Sequence, residues 1–434
     1  MTPPNTPSTA ARIDSVDTLR GLTILTMVFV NDVGPAAPAW AHHIQPPNAD
    51  GMTVADVVFP SFLFIVGMSI PLALERAKQS GATLFQQLVR VFSRSLALLL
   101  MGLVELNHMD DTTLGGQWWG LLAFVSIILA WSVVPTAPGA KRAVLRFLKV
   151  MGIVGLIVLL AVYRREPVST TITFYGDAPE WVWLRTGWWG ILGLIGWAYL
   201  TASLLYLALG PKREWLMGAM ATLVAIFLVD RGGGFFSRVD DKRWLDGIRP
   251  IVDGVAEMIV GFDRYVDIGT VIGSHPSITM AGCMLGTILL PRIGLAKHAD
   301  RVRWAFVFAA GLFVAGLVTD TFAGINKIAA TPTWCLWSAA ITVLVWIGLY
   351  AIMDIKGWRA WSIVIRPAGA NPLIAYLLHP ILLWSFALSG TANIVLSYTL
   401  SDSAETSMFG SLVMSLSVCG LTGLIARSGL RVRI

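Results

Sequence analysis

The chain has 434 residues, 56% of them hydrophobic and only 13% charged, with a net charge of +6 and a mean hydropathy of +0.70. A soluble domain carries about a quarter charged residues, so this composition excludes an ordinary water-soluble protein and points to helices facing lipid. The basic excess does not mark a nucleic-acid binder, because Lys and Arg fall in short clusters between apolar runs and form no basic stripe.

A membrane-spanning helix needs about 20 mostly apolar residues. Such runs lie at roughly 18–37, 54–75, 90–107, 117–134, 144–162, 188–210, 214–230, 269–290, 304–320, 334–353, 368–388 and 407–426. The expected fold is therefore all-α: a polytopic membrane helix bundle of about 12 transmembrane helices (10 to 12). The bundle forms one domain over 18–426, between tails at 1–17 and 427–434. The first run and the tenth or eleventh are expected to be tilted or broken. Residues 39–41, Ala-Trp-Ala, imitate a signal-peptide cleavage site. Asp14 and Asp17 in the leader argue against that, and the first run is taken as a retained helix.

Alternate loops are basic: 76–90, 135–149, 211–213, 291–303, 354–366 and the tail from 427. By the positive-inside bias these face the cytoplasm, as do both termini. The opposite loops are poorer in Lys and Arg, apart from 163–187 and the longest, 231–268, whose glycines, charges and aromatics suggest a folded outer flap. Five of six histidines then fall on the outer side: His42 and His43 in the first loop, His108 after the third run, His275 early in the eighth and His379 in the eleventh. Singly, each is an interfacial side chain. Together they point to one polar cavity opening outward, since ionisable groups at membrane depth are costly. The tryptophans at 118–119, 181, 183 and 188–189 read as an aromatic belt. The three cysteines (Cys283, Cys335, Cys419) lie in apolar runs without metal spacing and read as packing residues, and no metal is expected.

The stretch with most chemistry is "RIDSVDTLRGLTILTMVFVNDVG" followed by "HHIQPPNADGMTVADVVFPSFLFIVG". Asp17 and Arg20 share a helix face, either as a helix-start pair or as an anchor for a phosphate-bearing cofactor. Asn31 and Asp32 close the first apolar run, as a cap or as cavity lining. "RGGGFF" (231–236) neither follows a strand nor opens a nucleotide-binding helix.

These blocks resemble the heparan-alpha-glucosaminide N-acetyltransferase-like transmembrane acyltransferase family, in its bacterial, DUF5009-type subgroup. The resemblance continues through "SHPSITMAGCMLG", "INK" (325–327), "YAIMDIKG" and "GANPLIAYLLHP". It implies transfer of an acetyl group from cytosolic acetyl-CoA to an amino sugar or envelope glycan on the far side of the membrane, in a bacterial inner membrane. It implies that Asn31 and a histidine of the first loop are the catalytic pair. Counting from Asn31 favours His42, and the pattern "H-I-Q-P…DG" favours His43, which is taken. A neutral imidazole suits the base that acyl transfer needs, Asn31 the oxyanion donor, and Asp56 or Asp32 the group orienting the ring. Arg20 and Arg94, with Asp17, are the candidate donor-binding residues at cytoplasmic ends. His379, Asn371, His275 and Lys327 are expected to line the acceptor cavity. The apolar pair at 188–230 cannot be placed in the core of the family's lysosomal enzyme, and the chain is expected to lack that enzyme's large luminal N-terminal region, so acceptor identity is not carried over.

Two rival classes remain. A transporter would use the polar cavity as a path, but no internal repeat is evident. A structural subunit would leave the outer histidines without a role. The partners expected are the lipid bilayer, a glycan acceptor and, from the 41 glycines that allow close helix packing, a second copy in a homodimer; no nucleic acid is expected.

Overall fold

The computed structural model describes residues 13–44, 46, 48–136, 138–165, 183–231, 249–291 and 293–433. In chain order the α-helices are α1 (Asp14–Asp32), α2 (Val54–Gln79), α3 (Leu84–Asn107), α4 (Gly116–Ala130), α5 (Ala140–Val162), α6 (Gly190–Leu209), α7 (Arg213–Arg231), α8 (Arg249–Val266), α9 (His275–Ile288), α10 (His298–Ala323), α11 (Pro332–Tyr350), α12 (Arg366–Ala370), α13 (Pro372–Leu388), α14 (Asn393–Thr399) and α15 (Ala404–Ser428). Among the described residues the only β-type pairings are two isolated bridges.

Each of the twelve apolar runs falls on a helix. Among the described residues, seven helices are long and apolar enough to cross a membrane, or eight if the bent pair α13 and α14 is one span. The expected count of ten to twelve is thus higher than length and composition support. The shortfall has local causes: α1 carries Asp14, Asp17 and Arg20 in its first turns, α4 is short, and α9 is preceded by a separate π-helical segment, Gly269–Ser274. The eleventh run is the broken one, with a 114° bend between α13 and α14. Of the expected outer flap, 249–266 is helix α8, and 232–248 lie outside the described residues, as do 166–182 with Trp181.

The first tail is shorter than expected, because α1 begins at Asp14. The last is not loose: α15 runs to Ser428, and the Val133 amide donates to Arg431 O at 2.7 Å while the Arg433 amide donates to Trp131 O at 3.2 Å.

The core is organised around α2, which packs against α1, α6, α9 and α11. Its contact with α9 is as close as backbones allow. A Cβ on Gly67 would overlap the Thr279 carbonyl, and one on Gly282 the Phe64 carbonyl. Small residues at such crossings are how apolar helices gain contact where no hydrophobic effect separates helix from lipid. Pro60 sits inside α2 and has no N–H for the Asp56 carbonyl one turn back. The Trp334 indole N–H of α11 donates to that carbonyl at 2.9 Å, satisfying a group that could not stay bare in an apolar core. One proline thereby ties α11 to the turn of α2 that carries the site.

Candidate active site

Asp56 lies in the first turn of α2, after the N-cap Thr53. Its Oδ2 accepts the backbone N–H of Thr53 at 3.0 Å and of Ile44 at 3.1 Å. Its Oδ1 lies 2.8 Å from His43 Nδ1. An ionised carboxylate only accepts, so Nδ1 carries the proton in the neutral ring and Nε2 keeps its lone pair. The Thr53 hydroxyl donates to the His42 carbonyl at 2.6 Å, which closes the loop onto the helix start. Asp56 is buried, with a side chain 1% exposed, while that of His43 is 40% exposed. The pair is an oriented imidazole with one nitrogen held and the other open.

A second loop covers it. Between α10 and α11, the Gly51 amide donates to the Ile325 carbonyl at 2.8 Å, and the Asn326 side-chain amide donates to Ala49 O at 2.9 Å. This places Lys327 Nζ 3.1 Å from both ring nitrogens of His43 and 4.0 Å from Asp56 Oδ1. Burial outweighs the attraction of Asp56 and pushes the lysine down from 10.5 to about 8. Beneath the pair, buried His275 meets Phe59 edge-on at 5.3 Å and Trp334 at 6.1 Å, and its Nδ1 has no hydrogen-bond partner.

The other expected residues are dealt elsewhere. Asp32 does not orient the His43 ring. It is buried at the end of α1, where Oδ2 accepts the Tyr398 hydroxyl at 2.6 Å and Oδ1 lies 3.4 Å from His379 Nε2. Asn31, one residue earlier, is exposed. His42 Nε2 lies 3.2 Å from the Ala37 carbonyl of its own loop. His108 bonds the Glu105 carbonyl and packs on Trp384. Among the described residues no two of these outer histidines are hydrogen-bonded to each other.

Arg20 is engaged within the bundle, donating to Gly369 O at 2.9 Å and Ser69 Oγ at 2.8 Å, and pairing with Asp17 at 3.3 Å. Arg94 lies over the Tyr199 ring at 4.6 Å. These three read as packing residues. A basic cavity stands close by instead. It has a volume of about 680 Å³ and is lined by Arg76, Arg427, Arg431 and Arg433, together with Asn371. Asn371 thus belongs to this end and not with His379. A smaller recess lined by Asp14 and Arg366 shares Pro367 and Ala370 with it. Arg76 stands twenty residues after Asp56 on α2, which at 1.5 Å per residue is about 30 Å, the thickness of a bilayer's hydrocarbon core.

Sequence reasoning missed the arginines of the tail, which read as topology, and Glu105. The latter, the one carboxylate in the apolar third run, bonds the Tyr376 hydroxyl and accepts the Leu192 amide at 3.0 Å at the start of α6. A carboxylate inside an apolar run was the available signal.

Fold and site together define an α-helical membrane protein with a histidine–carboxylate pair at one end and an arginine-lined cavity at the other. A model of the DUF5009 domain of unknown function matches residues 12–239, and the chain belongs to that family. Heparan-alpha-glucosaminide N-acetyltransferase of Mus musculus is 38% identical over 401 residues, covering 86% of this chain and 54% of the mouse protein. The Homo sapiens protein of the same name is 40% identical over 96 residues, 22% of this chain and 14% of its own length. The chain spans about half the length of the mouse relative.

Proposed function

We propose that this chain is a membrane acetyltransferase that takes the acetyl group of cytosolic acetyl-CoA and delivers it to an amino sugar or envelope glycan on the opposite face of a bacterial inner membrane. The observation that carries the reading is the His43–Asp56 pair, whose open Nε2 stands about one membrane thickness from a cavity of four arginines. The name of the mouse and human relatives supports an N-acetyl transfer.

In this reading the arginine cavity takes the donor's phosphates, for which guanidinium groups are matched. The pantetheine arm runs toward the histidine end. The acceptor amine attacks the thioester carbonyl, His43 Nε2 takes the amine proton, the C–S bond breaks, and the imidazolium returns the proton to the thiolate. Asp56 keeps the ring in the working tautomer. Asn31 donates its side-chain amide to the developing oxyanion. With both termini in the cytoplasm, the tail arginines lie on the donor side.

Calorimetric titration of the detergent-solubilised chain with acetyl-CoA, followed by transfer to glucosamine, tests this. Saturable donor binding, with transfer lost in His43→Ala but binding kept, is the expected result. A folded sample that binds no acetyl-CoA overturns it, and a transporter becomes the leading account.

A further inference from the structure

The position of Lys327 has a consequence for the chain itself. Its Nζ is equally far, 3.1 Å, from the two nitrogens of the His43 ring. A point in the ring plane meeting both distances would collide with Cε1, so the amine stands over the face of the imidazole. The in-plane lone pair of Nε2 stays open. An acyl carbon that approaches Nε2 along that lone pair comes within reach of the Lys327 amine. It is a primary amine, the group an N-acetyl acceptor would bring, tethered beside the base by the loop hydrogen bonds of Asn326 and Ile325. The groups that face it are His43 and Asp56.

Resting on the acetyltransferase reading, we infer that Lys327 is a self-acetylation site, the acceptor of its own enzyme's acetyl group when no external acceptor is present. The Lys327 Nζ lone pair forms the C–N bond to the thioester carbonyl, and the C–S bond breaks. The amine proton passes to the departing sulfur, leaving acetyl-lysine and CoA thiol, while the His43 ring beneath the amine holds it in position. The amide has no charge, so the ammonium 4.0 Å from Asp56 is removed and the site is changed. Burial, which lowers this lysine to about 8, puts much of it in the nucleophilic neutral form at mildly basic pH.

The test incubates the purified full chain in detergent with acetyl-CoA carrying a deuterated acetyl group, without acceptor, and maps labelled lysines by peptide mass spectrometry. Glucosamine transfer and donor binding are measured on the same sample. The expected result is label on Lys327, reduced about a hundredfold in His43→Ala, the scale of a reacting group that has lost its positioning. Lys327→Arg, which keeps the charge, should bind donor and take no label there. Label spread evenly over the exposed Lys141 and Lys212, or label indifferent to His43, is surface chemistry and overturns the inference. An unlabelled Lys327 in a sample that acetylates glucosamine overturns it and leaves the acetyltransferase reading standing. Absence of both donor binding and transfer removes both.

Discussion

Asp56 holds three donors at once: two backbone N–H groups and the His43 ring. Asp56→Asn can still accept the backbone bonds, but its NH2 donates to Nδ1 and so moves the ring proton to Nε2, the wrong tautomer for a base. Acetyl transfer to glucosamine is expected to fall by about 10²–10⁴-fold, with acetyl-CoA affinity unchanged in calorimetry. His42→Ala, which removes only a contact with the Ala37 carbonyl, is expected to keep most of the activity. Lys327 gives a pH dependence whose sign is fixed. Its folded value of about 8 lies below the ordinary 10.5, so between those values the unfolded chain binds more protons and stability rises with pH. Thermal midpoints taken at pH about 8 and about 10 should show that rise in the parent and a flatter profile in Lys327→Met. Of these residues, His43, Asp56 and Lys327 were all legible in the sequence. The pairing of His43 with Asp56 was one of two readings the sequence offered, and the approach of Lys327 was not legible, because His43 and Lys327 are 284 positions apart and meet only through two loops.

At the scale of elements, the tightest joint is α2 against α9. Gly282→Ala puts a methyl group where the Phe64 carbonyl stands. Overpacking of this kind costs about 1–3 kcal/mol, and a lowered thermal midpoint by fluorescence-detected size exclusion is the expected outcome. Gly311→Ala, where a Cβ meets open space, is the control and should leave the midpoint unchanged. A second joint is the clamp of Asp32 on Tyr398 and His379. It fastens α14 to the last turn of α1, the turn that presents Asn31. The apolar helices were legible, since every apolar run is helical, but α8 and α14 fall in stretches read as loops. The bend between α13 and α14 was expected only as a tilt or break somewhere near the tenth or eleventh run. Which donor would fill the carbonyl freed by Pro60 was hidden, because proline announces a missing N–H and says nothing of the partner.

Over the whole molecule, the antiparallel course of α1 and α2 separates a basic end from a histidine end. Arg427→Ala and Arg431→Ala are each expected to weaken acetyl-CoA binding about tenfold, the loss of one charge-assisted contact of roughly 1.5 kcal/mol. Arg20→Ala is expected to lower the thermal midpoint more than the affinity, since its guanidinium bonds Gly369 and Ser69. Calorimetry and melting of the same four samples separate the two outcomes.

The sequence by itself determined the solvent, the helical class and the chemistry available. Those follow from local content: apolar length decides where a helix can lie in lipid, and a histidine beside carboxylates decides what a site can do. Only the tertiary structure decided the partners. It gave Asp56 rather than Asp32 to His43, set Lys327 over the imidazole, and gathered Arg76 with three tail arginines. His43 and Asp56 are only 13 positions apart, but the other two pairings join residues far apart in the chain, and at such separations it is the packing of helix on helix, through glycines and a displaced carbonyl, that brings side chains together.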